Sequence, residues 1–110
     1  MLRVAVVGHS MEPTLRAGDW LLVDSVKRGK APARGELVVV SDPRLPRRWL
    51  VKRVALVLPD QRLLLSGDHP SHRAASALLG PVPVEAVVGR PWLRYWPPNR
   101  FALLAGRRRG

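Results

Sequence analysis

Six short runs rich in valine and leucine dominate the sequence, and each is bounded by glycine, proline or aspartate. They are RVAVV at residues 3–7, DWLLVDSV at 19–26, ELVVVS at 36–41, WLVKRVALVL at 49–58, RLLLSG at 62–67 and VEAVVG at 84–89. Such runs are typical of β-strands, and the break PDQ at residues 59–61 predicts a hairpin. The 11 prolines fall mostly between the runs, because proline lacks the N–H that a strand interior needs. The sequence therefore predicts a mainly β, antiparallel sheet that is coiled or barrel-like, with at most one short helix, over residues 71–79.

The chain of 110 residues is long enough for one domain with one modest hydrophobic core. We place that domain at residues 1–97 and interpret residues 98–110, which end in AGRRRG, as a basic C-terminal tail. No apolar run approaches the roughly 20 residues that a membrane-spanning helix requires. We expect a soluble, cytoplasmic protein without a transmembrane anchor, and peripheral association with a membrane is the alternative.

The net charge of +11 raises the question of nucleic-acid binding. The basic residues are scattered in local clusters, and no basic helical stripe or recognisable nucleic-acid motif accompanies them. Scattered arginines more often form a solvated surface, so nucleic acid is not the expected partner. Attraction to an acidic partner protein or to an anionic membrane surface fits the charge equally well.

Ser10 lies between the apolar run VAVV and a turn that contains proline and glycine. A serine reacts as a nucleophile only if a base removes its proton. Of the three histidines, His9 should point to the opposite face of an extended segment, and His69 and His72 have no acidic residue to orient them. The histidines also lack ligand spacing with carboxylates, and the chain has no cysteine, so we expect no metal site and no cofactor.

Lys52 is the better candidate base, because the two-residue period of a strand places it on one face with Leu50, Val54, Leu56 and Leu58. An amine on an apolar face loses hydration, and this lowers its pKa from about 10.4. A neutral lysine can accept the proton of the serine, whereas an arginine cannot. The alternative is a structural lysine whose stem packs on the sheet while its ammonium reaches water.

Several separated segments occur in one order: SMEPTL, then GD at residues 18–19, LVKRV at 50–54, GD at 67–68, GPV at 80–82 and VVGR at 87–90. Together they resemble the signal peptidase I family of endopeptidases with a Ser/Lys dyad, over roughly residues 4–95. The resemblance implies a β catalytic core in which Ser10 is the nucleophile and Lys52 the general base. It further implies that the Ser10 N–H stabilises the oxyanion and that Lys52 lies within hydrogen-bond reach of the serine.

The same resemblance implies that a polypeptide substrate adds as a strand alongside the segment VAVVG. The apolar pocket beside the serine then favours a small residue at the cleavage site. Ordinary core packing explains the same apolar residues equally well. The residues expected to bind substrate are Val6, Val7, Gly8, Met11, Leu15, Leu50 and Val51.

The segment GDHPSHRAASALLG follows the family pattern only in part. It keeps Asp68, which we expect to brace the loop, and Ser76, which matches within the inner triplet. Arg73 replaces a serine that helps to orient the lysine, and Ala75 and Ala77 replace an Asp/Arg pair. These departures bear on rate and substrate preference more than on the type of reaction.

Two further departures lie near the start of the chain. Gly8 replaces a serine that stabilises the oxyanion in many members, and only nine residues precede Ser10, where members normally carry a membrane anchor. A small member without an anchor, with the stretch GHSMEPTLRAGDWLLV and a GD.P loop, resembles the nickel-type superoxide dismutase maturation proteases. These proteases remove a short leader from the dismutase precursor, so the nickel belongs to the substrate.

Three alternatives to that substrate and activity stay open. The alternatives are a general signal peptidase that acts on exported proteins, a self-cleaving regulator of the repressor type, and a non-catalytic basic β module. The self-cleaving regulator needs a segment with its own cleavage site, and the nine residues before Ser10 leave no room for one.

Overall fold

The computed structural model of the protein describes residues 1–25, 31–72 and 80–104, and its strands form one antiparallel sheet. The strands are β1 (Leu2–Ala5), β2 (Trp20–Ser25), β3 (Leu37–Asp42), β4 (Leu45–Val57), β5 (Leu63–Ser66), β6 (Val87–Trp96) and β7 (Ala102–Leu103). Their order in the sheet is β1-β2-β6-β3-β4-β5, and β7 pairs with β6. The predicted mainly β, antiparallel fold is confirmed.

Helical structure in the described ranges is limited to the short 3₁₀ turns Pro70–His72, Val84–Ala86 and Pro98–Arg100. None of them has the length needed to cross a bilayer. The helix predicted over residues 71–79 overlaps the first of these turns, and its remainder, from residue 73, lies outside the described residues.

Strand β3 is buried on both faces and separates two hydrophobic clusters. Because side chains alternate along a strand, Leu37 and Val39 point into one cluster, while Val38 and Val40 point into the other. The buried members of the first cluster are Val4, Val6, Met11, Leu15, Leu21, Val23, Leu37, Val39 and Val51. Those of the second cluster are Val38, Val40, Val54, Leu63, Leu65, Val82 and Val87. Two cores therefore replace the single modest core that the length predicted.

The sheet coils strongly between β1 and β4. These strands are separated in the sheet by β2, β6 and β3. Nevertheless Val4 of β1 and Val51 of β4 are buried in the same first cluster. The coil therefore brings the end of β1 to face β4 across the sheet, and the candidate site lies between them.

A β-bulge at Ala55 corrects the face predicted for part of β4. Val54 pairs with Leu65, whereas Leu56 pairs with Leu64, so Ala55 is one extra residue on β4. An extra residue reverses the alternation of the side chains beyond it. Leu56 is consequently 44% exposed, although the two-residue period placed it on the apolar face, and Val57 packs on the second cluster instead.

Two residues of the segment that the sequence analysis interpreted as the start of the basic tail, Ala102 and Leu103, form strand β7. Leu103 and Ala102 pair with Leu93 and Arg94 of β6. Residues 105–110, which hold the arginine run, lie outside the described part of the chain.

Candidate active site

A tight turn that follows β1 and the short segment after it presents Ser10. Gly8 has a φ angle of +81°, in the left-handed region that favours glycine, and so redirects the chain out of the strand. The Leu15 N–H donates to the Met11 carbonyl at 2.9 Å. The side chains of Met11 and Leu15 are both buried in the first cluster, which anchors the turn.

The structure brings Ser10 and Lys52 together. The Nζ atom of Lys52 lies 3.1 Å from the Oγ atom of Ser10, at hydrogen-bond distance. Lys52 projects from β4 directly opposite Val38 of β3 and is only 9% exposed. Ser10 is half-buried, so its hydroxyl stays accessible from the pocket described below.

The environment of Lys52 lowers the pKa of its amine. Burial is the largest cause, because removal from water disfavours the charged form. The positive charges of Arg44 and Arg48 lower the pKa of Lys52 further, and the carboxylate of Asp42 opposes them. The amine therefore loses its proton at a lower pH than an ordinary lysine and can accept one from a neighbouring hydroxyl.

The carboxylate of Asp68 connects the serine turn to the lysine strand. It accepts a hydrogen bond from Thr14 Oγ1 at 2.6 Å, and from Nε and Nη2 of Arg53 at 2.9 and 2.8 Å. The same carboxylate raises the pKa of Arg53. The next residue, His69, donates its backbone N–H to the carbonyl of Ser10 at 2.9 Å. The loop of Asp68 and His69 thus fixes the turn that carries Ser10 relative to the strand that carries Lys52.

The histidine rings that the structure describes are bound to nearby residues. Nδ1 of His9 lies 2.7 Å from a carboxylate oxygen of Glu12, and Nδ1 of His69 lies 2.7 Å from the hydroxyl of Ser71. The side chain of His72 lies outside the described part of the structure. The titratable group shown at hydrogen-bond distance from the hydroxyl of Ser10 is therefore an amine.

A pocket of about 180 Å³ opens beside the serine, between the end of β1 and the first half of β4. Its volume is small compared with the ~300–1,000 Å³ of typical ligand sites, so it suits part of a peptide better than a whole drug-sized ligand. The lining residues are Ala5, Val6, Val7, Ser10, Met11, Arg48, Trp49, Leu50, Val51 and Lys52.

Most of the predicted site residues meet at this pocket. The predicted substrate-binding residues that line it are Val6, Val7, Met11, Leu50 and Val51. Gly8 lies in the adjacent turn, and Leu15 is fully buried in the first cluster and does not line the pocket. Ser76, with the departures at Arg73, Ala75 and Ala77, lies outside the described residues.

Sequence reasoning missed three residues of the pocket wall, Ala5, Arg48 and Trp49. Arg48 could have been found, because the two-residue period of β4 places it on the face that carries Leu50 and Lys52. The sequence analysis began the predicted strand at Trp49, whereas β4 begins at Leu45, so Arg48 fell outside the predicted strand.

Comparisons with known proteins find one family model and several relatives that match the chain. Residues 1–57, a span that contains both Ser10 and Lys52, match the family model described as signal peptidase, peptidase S26. The chain is 31% identical over 120 residues to the mitochondrial ATP-independent inner membrane protease subunit 1b of Arabidopsis thaliana, which covers 88% of this chain and 71% of the relative. It is 32% identical over 117 residues to the mitochondrial inner membrane protease subunit 1 of Xenopus tropicalis, which covers 88% and 70%.

A bacterial relative is more distant. The probable signal peptidase I-2 of Synechocystis sp. is 26% identical over 141 residues, covering 90% of this chain and 65% of the relative. No solved structure matches the chain significantly.

Proposed function

Because the chain belongs to the peptidase S26 family of signal peptidases, we propose that it is a serine endopeptidase that removes an N-terminal leader from a precursor protein. In this proposal Ser10 is the nucleophile and Lys52 the general base. The observation that carries it is the 3.1 Å approach of a buried amine to the serine hydroxyl. The lowered pKa of Lys52 supports the same roles.

Acylation begins when neutral Lys52 accepts the proton of the Ser10 hydroxyl while Oγ attacks the scissile carbonyl carbon. The carbonyl oxygen becomes an oxyanion near the backbone N–H of Ser10. Collapse of this intermediate breaks the C–N bond, and the ammonium of Lys52 returns the proton to the departing amine. The leader then remains attached to Ser10 as an ester.

Deacylation repeats the sequence with water. Lys52 accepts a proton from the water as its oxygen attacks the ester carbonyl, and Ser10 Oγ departs and recovers the proton. Gly8 offers no hydroxyl to the oxyanion, so the Ser10 N–H carries more of the stabilisation here than in members that have a serine at that position.

The substrate binds along the free edge of β1 in this proposal. In the described part of the sheet, β1 has β2 as its one strand partner, and Val7 just beyond it is 84% exposed. An extended peptide added here gains main-chain hydrogen bonds, and one short side chain enters the pocket between Val6 and Leu50.

Two classes of precursor fit this site. The stretch around Ser10 resembles the maturation proteases of nickel-type superoxide dismutase, so we propose that dismutase precursor as the first substrate to test. The second class is the leaders of exported or membrane-delivered proteins, which the names of the relatives favour. Those names, which include inner membrane proteases, likewise favour association with a membrane over the expected cytoplasmic location.

The test is to incubate the purified protein with a nickel-type dismutase precursor and, separately, with peptides that span the leader junctions of exported proteins. Mass spectrometry identifies the new N-termini. We expect a single cut that Ser10→Ala and Lys52→Ala each abolish without loss of the fold. Full activity in Lys52→Ala would end the dyad proposal, and cleavage of the export leaders alone would assign the second substrate class.

A further inference from the structure

Arg48 lies in the wall of the candidate active-site pocket and, among the residues that the structure describes, has no partner for its charge. It lines the same cavity as Ser10 and Lys52, and its residue is exposed. Within residues 1–25, 31–72 and 80–104, no hydrogen bond or ion pair engages its guanidinium. Nearby Arg44, in contrast, is bound to Asp42 through Nε at 3.2 Å. Arg48 therefore brings a positive charge to the pocket wall that is unpaired among the described residues.

The rest of the pocket wall leaves this charge unbalanced. Among the described residues, the lining contains two basic residues, Arg48 and Lys52, and no carboxylate. In the working enzyme Lys52 is neutral, so the charge of Arg48 remains. Trp49 and Leu50, which follow Arg48 on β4, add apolar surface to the same pocket. Displacement of water from such surfaces by a bound peptide strengthens an ionic contact.

We propose that Arg48 is a specificity-determining residue that binds an acidic side chain of the substrate close to the scissile bond. This inference rests on the proposed protease function. A planar guanidinium suits a carboxylate, because it offers paired N–H donors. Arg48 precedes Lys52 by four residues on one strand, a distance of at most about 13 Å at ~3.3 Å per residue. The acidic residue therefore lies within about four positions of the cleaved bond.

A second effect of Arg48 has to be separated from this contact. Its charge helps to lower the pKa of Lys52, so its removal changes the reaction of every substrate through the base. A direct contact, in contrast, changes the ratio of rates between an acidic peptide and its amide counterpart. That ratio is independent of the protonation of Lys52, because both peptides use the same base.

The experiment measures kcat/KM for internally quenched decapeptides with alanine at the cleavage site. Asp, Asn or Lys is placed in turn at each of the four positions on either side of the cleaved bond. We expect one position at which Asp is preferred to Asn about ten-fold, which corresponds to about 1.4 kcal/mol. The preference should fall as ionic strength rises, since the contact is partly exposed to solvent.

Variants then assign the preference to one side chain. Arg48→Gln should reduce the Asp-to-Asn ratio to about one, and Arg48→Glu should favour the Lys peptide instead. Arg47→Gln is the matched control, because Arg47 is the adjacent exposed arginine and does not line the pocket. It removes the same charge and should leave the ratio unchanged.

Equal cleavage of the Asp and Asn peptides at every position would overturn the inference, as would a preference that survives in Arg48→Gln. Both results leave the protease function standing. If no peptide is cut, the ratio is measured as protection of Ser10 from a serine-directed acylating probe by the Asp and Asn peptides. A Ser10 that neither cleaves peptides nor reacts with the probe would contradict the proposed function, and the inference would fall with it.

Discussion

Replacement of Asp68 by alanine should destabilise the fold and separate the two halves of the candidate site. The substitution removes the hydrogen bonds that Asp68 accepts from Thr14 at 2.6 Å and from Arg53 at 2.9 and 2.8 Å. Asp68 and Arg53 have side-chain exposures of only 15% and 28%, so water replaces these contacts incompletely. Each hydrogen bond to a charged group contributes about 1.5–3 kcal/mol, and non-additivity reduces the sum. We expect a loss of roughly 2–4 kcal/mol, or about 10–20 °C in Tm.

The assay is thermal and urea unfolding followed by tryptophan fluorescence, and Asp60→Ala is the matched control. Asp60 also binds an arginine, Arg62 at 2.7 Å, but that pair is half exposed and should contribute little. Below the Tm of both variants, Asp68→Ala should cleave substrate about 10–100-fold more slowly, because small displacements of reacting groups are costly. Equal Tm values for the two variants, or full activity in folded Asp68→Ala, would refute the bracing role.

Three other predictions concern Lys52 and Gly89. Cleavage should accelerate with pH through a lysine pKa that lies below the ordinary 10.5, and Lys52→Arg should be inactive; an acceleration centred near pH 6.5 would indicate a histidine base instead. The pKa of Lys52 is lower in the folded protein than in the unfolded chain, so between these two pKa values the unfolded chain binds more protons. The free energy of unfolding therefore rises with pH in that interval. Lys52→Met should therefore be more stable than wild type at pH 7, by about 1.4 kcal/mol for each unit by which the pKa of Lys52 is lowered, and the difference should vanish above pH 10.5. Urea titrations at both pH values test this prediction, and a variant that is less stable at both would contradict it. In Gly89→Ala the new methyl group would lie 2.8 Å from Val23 Cγ1 and against the backbone of Asp24, so unfolding should become easier by at least about 1–3 kcal/mol; an unchanged urea midpoint would show that β6 can shift.

The strand pattern and the burial of Lys52 are features that local sequence can anticipate. Valine and leucine runs bounded by proline and glycine specify strands, because each run carries its own period and its own breakers. A lysine among apolar neighbours likewise predicts that its amine is buried, whichever strand pairs with its own. The resemblance of separated motifs then joined the two residues into one site.

Other features depend on pairing between distant parts of the chain. The bulge at Ala55 is defined by the pairing of β4 with β5. The run WLVKRVALVL alone therefore does not predict that the alternation of side chains reverses at Leu56. The network of Asp68, Thr14 and Arg53 joins three segments that have no local reason to meet. The pairing of Ala102 and Leu103 with β6 is likewise not evident from the short segment that contains them.

The division of the interior into two clusters makes the site dependent on both. Met11 and Leu15 fix the turn of Ser10 to the first cluster, whereas Lys52 lies on the face of β4 that packs with Val38 in the second. A chain in which only one cluster has condensed holds the hydroxyl or the amine in position, but not both. Peptide cleavage would then begin only at the final step of folding, so a nascent or damaged chain would not cut its neighbours. Proteolytic activity would thereby indicate that the fold is complete. When refolding is monitored by cleavage rate, its recovery should lag behind the recovery monitored by a signal from either cluster alone.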